Sequence, residues 1–106
     1  MESNLNENCE IVVYSLGTGQ IAYIGELCWE DEHKIKIGKP LVSMLMKGKD
    51  GNVQSSTGAV PYASRDSVLT FNVQSTPGIL IKNPDPELLD LYKTEIIAAY
   101  SKLTLV

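Results

Sequence analysis

The chain is poor in the residues that build catalytic and metal sites. It has one histidine, His33, and two cysteines, Cys9 and Cys28, among 106 residues. A structural zinc site needs about four Cys or His ligands, and neither cysteine has a partner at such a spacing. No GxSxG, HExxH or Walker-type phosphate loop is present. The sequence therefore predicts no metal, no cofactor and no enzyme activity.

Long apolar runs are missing as well. No run approaches the roughly 18 residues that span a bilayer, so we expect no membrane partner. The first ten residues, MESNLNENCE, are polar and acidic, unlike a secretory leader. We therefore expect a cytoplasmic protein with reduced thiols, although a disulfide stays open. Cys28, inside an apolar stretch, is expected to be a small buried residue.

Positive charge is missing from the first third of the chain. Residues 1–32 carry seven acids and no base, residues 33–82 carry seven bases and two acids, and residues 83–106 carry four acids and two lysines. The net charge of −4 therefore conceals a basic middle segment. Such a segment attracts phosphate groups. Lysines spread over the solvent faces of strands give the same pattern, and this simpler interpretation is favoured.

What the sequence does contain is a series of short β patterns. Period-two alternation and runs of β-branched or aromatic residues predict strands, and Gly- and Pro-rich segments predict turns. We expect residues 38–40 to interrupt the strand ladder, which resumes at residue 41, and residues 47–58 to form a flexible, polar hairpin excursion. These segments are expected to build a mostly antiparallel protein of five strands. The five strand patterns lie at 11–16, 20–29, 34–37 resumed at 41–46, 67–74 and 79–81, and the short segment 59–63 is suited to an edge or a strand entry.

The segment 20–29 has the clearest alternation. Its period of two places Leu27 and Trp29 on one face, and we expect both to be largely buried. Gly25 lies in the middle of this strand, where the missing side chain permits a sharp bend or the close passage of another strand.

A helical pattern closes the chain. Asp85 is suited to the N-cap and Pro86 to the first helical position. The apolar residues recur at helical spacing and should pack onto the sheet or a neighbouring subunit. They are Leu88, Leu89, Tyr92, Ile96 and Tyr100. The length fits one domain, with a mobile tail at residues 1–10, strands at 11–82 and the helix and its tail at 83–106.

The order of these elements resembles the Sm-like small barrel. The residues similar to the first Sm motif are Ile21, Gly25, Leu27 and Asp31, and those placed like the second motif are Leu69, Phe71, Val73 and residues 79–81. The ending IKNPDPELLDLYKTEI resembles Sm-like proteins attributed to bacteriophages of cyanobacteria. The resemblance covers roughly residues 11–100. It implies a strongly bent, five-stranded antiparallel barrel with a C-terminal helix, located in the host cytoplasm if phage-encoded.

The resemblance also implies a homo-oligomeric ring of five to seven copies that binds single-stranded RNA or acts as an RNA chaperone. The turns around the pore would hold RNA through His33, Lys34, Gln74 and Ser75. Strand 67–74 of one copy would pair with strand 79–81 of the next. The interface residues implied by this pairing are Val68, Thr70, Asn72, Ile79, Leu80 and Ile81.

Three features depart from the RNA-binding Sm pattern. An asparagine usually follows the second strand, where this chain reads His33-Lys34. An Arg-Gly pair usually precedes the last strand, where this chain reads Gln74-Ser75. The familiar Sm helix precedes the barrel instead of following it. A protein-interaction or structural ring without nucleic acid is therefore the alternative, and the sequence pI of about 4.8 favours it.

Overall fold

The protein folds as a mostly β structure with one C-terminal helix, as the sequence predicts. The computed structural model describes the backbone of residues 10–17 and 19–104, and the side chains of that part up to residue 100. The predicted tail at residues 1–10 lies outside the described residues except for Glu10. The elements are β1 (Ile11–Leu16), β2 (Ile21–Glu30), β3 (Lys34–Lys47), β4 (Val53–Ala59), β5 (Val68–Asn72), β6 (Gly78–Lys82) and α1 (Pro86–Thr104).

The six strands form one antiparallel sheet in the order β4-β3-β2-β1-β6. The long strand β3 has two partners on one side: its first part pairs with β5 and its second part with β4. This order has two ends, so the sheet is not closed. The fold is therefore an antiparallel sheet of six strands, whereas the sequence resemblance implies a barrel of five strands.

The predicted interruption of the ladder at residues 38–40 is confirmed for Lys39 and Pro40, which have no partner in the registers of β3 with β2, β4 or β5. The strand β3 itself continues through them. Lys39 has a φ of 46°, a left-handed conformation that bends the strand. Its N–H donates to the carbonyl of Ser67 at 3.2 Å. Pro40, which has no N–H, follows at the point where β3 changes its partner from β5 to β4. A proline is tolerated at this point because no neighbouring strand needs a backbone N–H from residue 40.

The predicted excursion at residues 47–58 is indeed a hairpin, but its second strand is longer and more regular than the polar composition indicates. Most of it is β4, which pairs with β3 in an unbroken register from Leu41↔Ala59 to Lys47↔Val53. A hairpin turn joins the two strands, closed by the N–H of Gly48 and the carbonyl of Asn52 at 2.7 Å. The short segment 59–63, expected as an edge or a strand entry, is a turn beyond Ala59. The polar composition of β4 concealed a strand whose first four residues are exposed.

Two apolar clusters lie on opposite faces of the sheet, because neighbouring residues of β1 point to opposite sides. The first cluster lies between the sheet and α1 and contains Val13, Ile24, Leu41, Tyr92, Ile96 and Tyr100. The second contains Val12, Tyr14, Ile35 and Ile37, with Leu27, Phe71 and Leu80 packed beside it. A strand buried on both faces explains why β1 reads IVVY without polar alternation.

Gly25 lies at a close approach of β2 and β3, as its position in the sequence predicts. A Cβ atom at this residue would lie 2.5 Å from the carbonyl oxygen of Gly38 and 2.5 Å from Cγ2 of Ile37. The register between β2 and β3 shifts at the same place, between Ile24 and Glu26. The absent side chain therefore permits the bend of the sheet.

The C-terminal helix begins as predicted and packs on the bend of β3. The Asp85 carboxylate accepts the N–H of Glu87 at 2.8 Å, which makes it the N-cap. The Tyr92 hydroxyl donates to the carbonyl of Lys39 at 2.5 Å, and the Tyr100 hydroxyl donates to the carbonyl of Pro40. Two buried tyrosines thus satisfy the carbonyl groups at the bend of β3.

The predicted burial of Trp29 and Cys28 is wrong. Trp29 is 51% exposed, Cys28 is exposed and Leu27 is half-buried. Leu27 lies opposite Ile37 and Trp29 opposite Lys36, so one residue of β2 has no partner on β3. This bulge turns the end of β2 outward, and the strict alternation that predicted burial ends at Leu27.

Candidate nucleic-acid interface and sheet edges

Two turns lie side by side at one end of the sheet, and they carry all four predicted RNA-binding residues. The first turn joins β2 to β3, and the second follows β5. The N–H of Val73 donates to the carbonyl of His33 at 3.0 Å, and Lys34 lies opposite Asn72. His33, Lys34, Gln74 and Ser75 are all exposed. Residues 40 positions apart in sequence thus share one surface.

The first turn is organised by Asp31. One carboxylate oxygen accepts the N–H of His33 at 2.7 Å and the N–H of Lys34 at 2.8 Å, and the other accepts Nε1 of Trp29 at 2.9 Å. Three donors favour the ionised form. Led by the Trp29 hydrogen bond, they lower the pKa of Asp31 to about 2. Asp31 therefore holds both the turn and the exposed indole.

The second turn is organised by Asn72. Its side-chain oxygen accepts the N–H of Gln74 at 2.9 Å and of Ser75 at 3.2 Å. Tyr14 reaches this turn from the core, and its hydroxyl donates to the carbonyl of Thr76 at 2.6 Å. Burial raises the pKa of Tyr14, so it remains a donor throughout the neutral range. The turn is thereby fixed to the second apolar cluster.

The charge on this surface is mixed. Lys34 and His33 are next to Glu32 and Asp31 in one turn. Nearby, Lys82 on β6 forms an ion pair with Glu30 at 2.7 Å, and this partner raises the pKa of Lys82. The surface therefore offers hydrogen-bond donors and one lysine of the first turn, without forming an extended basic patch.

The outer edge of β6 carries backbone groups that point away from β1. The N–H of Gly17 donates to the carbonyl of Pro77 at 3.4 Å, and Leu16 pairs with Gly78. Because hydrogen-bonded and non-hydrogen-bonded pairs alternate in antiparallel sheets, Ile79 and Ile81 bond to β1. The N–H and carbonyl of Leu80 face the opposite way. No other strand in the described part of the chain pairs with this edge.

The outer edge of β5 is similar. The bonds from Val73 to His33 and from Lys39 to Ser67 flank its ladder with β3. By the same alternation, the backbone groups of Val68, Thr70 and Asn72 point away from β3. Among residues 10–17 and 19–104, β5 pairs with β3 alone.

The side chains of the predicted interface residues differ in exposure. Ile79 is 68% exposed and Val68 is 52% exposed, whereas Leu80 packs beside Tyr14 in the second apolar cluster. The backbone N–H and carbonyl of Leu80 are therefore placed to pair with another strand, while its side chain packs in the core. Whether these residues contact another subunit stays a prediction.

Asp31 lies in the turn that the sequence predicts after the strand at 20–29, whereas the turn-forming role of Asn72 was not predicted. Each side chain accepts the backbone N–H groups two and three residues later, as Asp and Asn do in turns. Asp31-Glu32-His33 follows the predicted strand at 20–29, and that placement is the signal for the first turn. Asn72 lies inside the predicted strand at 67–74, so only the turn preference of its own side chain could have identified the second turn.

Neither metal chemistry nor a membrane span is indicated by the described residues. They contain no group of three His, Cys, Asp or Glu side chains placed to hold a metal ion. No helix in that part of the chain is long and apolar enough to cross a membrane. Comparisons with known protein families and with curated proteins find no match to this chain.

Proposed function

We propose that the chain is an Sm-like, ring-forming protein that binds single-stranded RNA at the two adjacent turns. The observation that carries the proposal is the hydrogen bond between Val73 and His33, which joins the turn after β2 to the turn after β5. The proposed RNA-binding residues come from both turns. The bacteriophage origin rests on the sequence resemblance alone and stays a prediction.

The exposed side chains of the two turns match the chemistry of single-stranded RNA. The Lys34 ammonium would meet a phosphate, and the His33 ring would stack on a base. The Gln74 amide and the Ser75 hydroxyl can hydrogen-bond the exposed edges of an unpaired base. Both turns are held by side-chain caps, which lowers the entropy that binding must remove.

Ring assembly would join the outer edge of β5 in one copy to the outer edge of β6 in the next. Such a head-to-tail contact closes when the rotation per subunit divides a full turn, and growth then stops. It also covers strand edges that otherwise invite uncontrolled association. Each copy would contribute one pair of turns, so the RNA-binding sites would repeat around the ring.

The RNA proposal is tested by fluorescence anisotropy with a labelled single-stranded RNA of mixed sequence, titrated across salt concentrations. Binding should weaken steeply with salt. Lys34→Gln should weaken RNA binding by about tenfold. It should also reduce the slope of the logarithm of the binding constant against the logarithm of the salt concentration by about one for each site engaged. Lys93→Gln, on the exposed face of α1, is the charge-matched control and should change the affinity less than twofold. Equal losses in both variants would contradict the proposed site.

A protein-interaction or structural ring without nucleic acid is the second candidate. The acidic neighbours of Lys34, Glu32 and Asp31, favour it because they repel phosphates. In that case the assembly mass would be a multiple of 11.6 kDa, but no RNA would bind even at low salt. A ring with RNA affinity supports the first function, and a ring without it supports the second.

A further inference from the structure

The outer edge of β4 is a surface that the proposed ring does not use. In the described part of the chain β4 pairs with β3 alone, whereas the ring would join β5 to β6. The seven residues of β4 contain no charged side chain and no proline, and their register with β3 has no bulge. Charges, prolines and bulges are the usual devices that keep a strand edge from pairing. The edge of β4 is therefore unprotected.

The hairpin determines which backbone groups of β4 point away from β3. The N–H of Gly48 donates to the carbonyl of Asn52 at 2.7 Å, so these opposite residues form a hydrogen-bonded pair. Such pairs alternate with non-hydrogen-bonded pairs along an antiparallel ladder. Every second residue of β4, beginning at Gln54, therefore bonds to β3. The residues whose N–H and carbonyl groups point outward are Val53, Ser55 and Thr57.

The pairing of β3 with its other neighbour gives the same assignment. The N–H of Leu45 donates to the carbonyl of Gln20 at 2.8 Å, so the backbone groups of Leu45 face β2. Leu45 is opposite Ser55, and it therefore leaves the backbone groups of Ser55 to the outer edge. This edge ends at Val60, whose N–H donates to the Tyr100 hydroxyl at 3.2 Å.

Apolar side chains are exposed on both faces of the sheet beside this edge. Opposite residues of two paired strands share a face. Leu45 and Val53 are exposed on one face, and Met44 and Met46 are exposed on the other. Because the β4 side chains beside them are mostly small, long side chains of an added strand can reach this apolar surface. An added strand with apolar residues on both faces would therefore cover it.

Two exposed lysines lie at the hairpin end of the edge. Within residues 10–17 and 19–100, neither Lys47 nor Lys49 forms an ion pair. The carboxylate of Asp50 is occupied by Asn52, whose backbone N–H and Nδ2 donate to it at 3.1 and 2.8 Å. Lys47 is opposite Val53, and its long side chain can cross β4 because neighbouring strands are only about 4.8 Å apart. This end of the edge therefore attracts a carboxylate.

The edge strands of a second copy do not match this charge. β4, β5 and β6 read VQSSTGA, VLTFN and GILIK, and none of them carries a carboxylate. β1, β2 and β3 already have a strand on each side. Pairing β4 with an edge strand of another copy would therefore leave both lysines unmatched. A strand from a different protein can supply the acidic residues.

We propose that the outer edge of β4 binds an extended, acidic peptide segment of another protein, which adds an antiparallel strand to the sheet. The C-terminal end of such a strand lies beside Val53, where β4 begins, so its acidic residues follow its apolar ones and meet Lys47 and Lys49. The main-chain hydrogen bonds supply affinity, and the apolar and acidic side chains select the segment. The RNA-binding turns and the outer edges of β5 and β6 take no part in this contact.

Hydrogen exchange of the full chain, followed by NMR, tests the backbone contact. The probe is a synthetic peptide with the order threonine, valine, isoleucine, valine, threonine, glutamate, glutamate. Without it, the amides of Val53, Ser55 and Thr57 should exchange freely, and saturating peptide should slow their exchange by at least about tenfold. Protection of these amides without peptide would show that the chain covers its own edge. That result, or no change at millimolar peptide, would overturn the proposal.

A proline variant tests the central donor of the edge. Ser55→Pro removes an outward N–H and leaves the bonds of Gln54 and Ser56 to β3 in place. It should weaken binding of the fluorescein-labelled peptide, measured by anisotropy, by at least about tenfold. Ser55→Ala retains the N–H and should change the affinity less than twofold. The assembly mass should be the same in both variants, and a mass that falls in Ser55→Pro alone would assign the edge to self-association and overturn the proposal.

A peptide of the same composition tests the direction of the strand and the match of charge. In this control the two glutamates precede the apolar residues, so an antiparallel strand would carry them away from the lysines. The wild type should bind it about fivefold more weakly than the first peptide. The double variant Lys47→Gln, Lys49→Gln should bind both peptides equally. Equal affinities for the wild type, or a preference that persists in the double variant, would contradict the proposed partner.

Discussion

Asp31 shows how one side chain determines the local shape of the candidate site. Its carboxylate accepts hydrogen bonds from the Trp29 indole and from the N–H groups of His33 and Lys34. Trp29 is therefore an exposed aromatic residue with a fixed orientation. It is also the single tryptophan of the chain, so its fluorescence reports on the protonation of Asp31.

We predict an acid transition in the Trp29 emission that is centred near pH 2. The pKa of Asp31 is lowered from 3.8 to about 2 in the folded protein. A lowered pKa means that this carboxylate stabilises the fold fully above about pH 3.8, and that the contribution is lost as the pH falls through about 2. A titration of the Trp29 fluorescence between pH 5 and 1 measures this transition, because that range covers both the ordinary and the lowered pKa of Asp31.

Asp31→Asn provides the control for this transition. The amide retains the size of the side chain and one acceptor oxygen, but it does not titrate. The transition near pH 2 should be absent in the variant. An unchanged acid transition in Asp31→Asn would show that the fluorescence follows global unfolding, and that Asp31 is not the titrating group.

Single residues also explain where the predicted burial fails. The alternation in 20–29 predicts that Leu27 and Trp29 share a face, and Leu27 does contact the second apolar cluster. The bulge that separates them depends on how β3 pairs with β2. Because the sequence of one strand does not specify the register of its partner, the exposure of Trp29 and Cys28 could not be predicted from it.

At the scale of the elements, the close approach of β2 and β3 at Gly25 makes a stability prediction. Gly25→Ala should lower the free energy of unfolding by about 2–3 kcal/mol, because the new methyl group meets a backbone oxygen and a core side chain. Gly58→Ala on β4 is the matched control, since nothing lies within 4 Å of its Cβ position. It should be neutral or slightly stabilising. Chemical denaturation measures the free energy of unfolding of both variants, and equal changes in the two would contradict the close approach of β2 and β3 at Gly25.

The start of α1 makes a second prediction. Asp85→Ala removes the acceptor of the Glu87 N–H and should cost about 1 kcal/mol. Asp85→Asn retains a capping oxygen and should cost clearly less. Denaturation midpoints compare the two. An Ala variant as stable as the wild type would indicate that the N-cap contributes little to the stability of the packed helix.

The elements differ in how well the sequence predicts them. The helix could be predicted because its cap and its apolar spacing lie within one segment. The continuity of β3 and the length of β4 could not, because a Gly-Lys-Pro sequence and a polar stretch usually interrupt strands. Here Pro40 lies where β3 changes partners, and the polar residues of β4 are held by pairing with the apolar second half of β3. Pairing between strands compensates for weak local preferences.

At the scale of the whole molecule, the open ends of the sheet are the main determinant of assembly. β6 at one end and β4 and β5 at the other each have a single strand partner within the described residues. Edges of this kind are managed by short strands, charges or a covering partner. β5 and β6 are only five residues long, and exposed apolar side chains on both, such as Val68 and Ile79, favour a covering partner.

The proposed ring therefore makes a prediction about Leu80, whose N–H points away from β1. Leu80→Pro removes this outward donor and leaves the bonds of Ile79 and Ile81 to β1 in place. Light scattering at micromolar concentration should give five to seven times 11.6 kDa for the wild type and 11.6 kDa for Leu80→Pro. Leu80→Ala controls for the lost core contact: it retains the N–H and should remain a ring with a similar loss of stability. A single-chain mass for the wild type, or a ring that survives Leu80→Pro, would contradict assembly through the edge of β6.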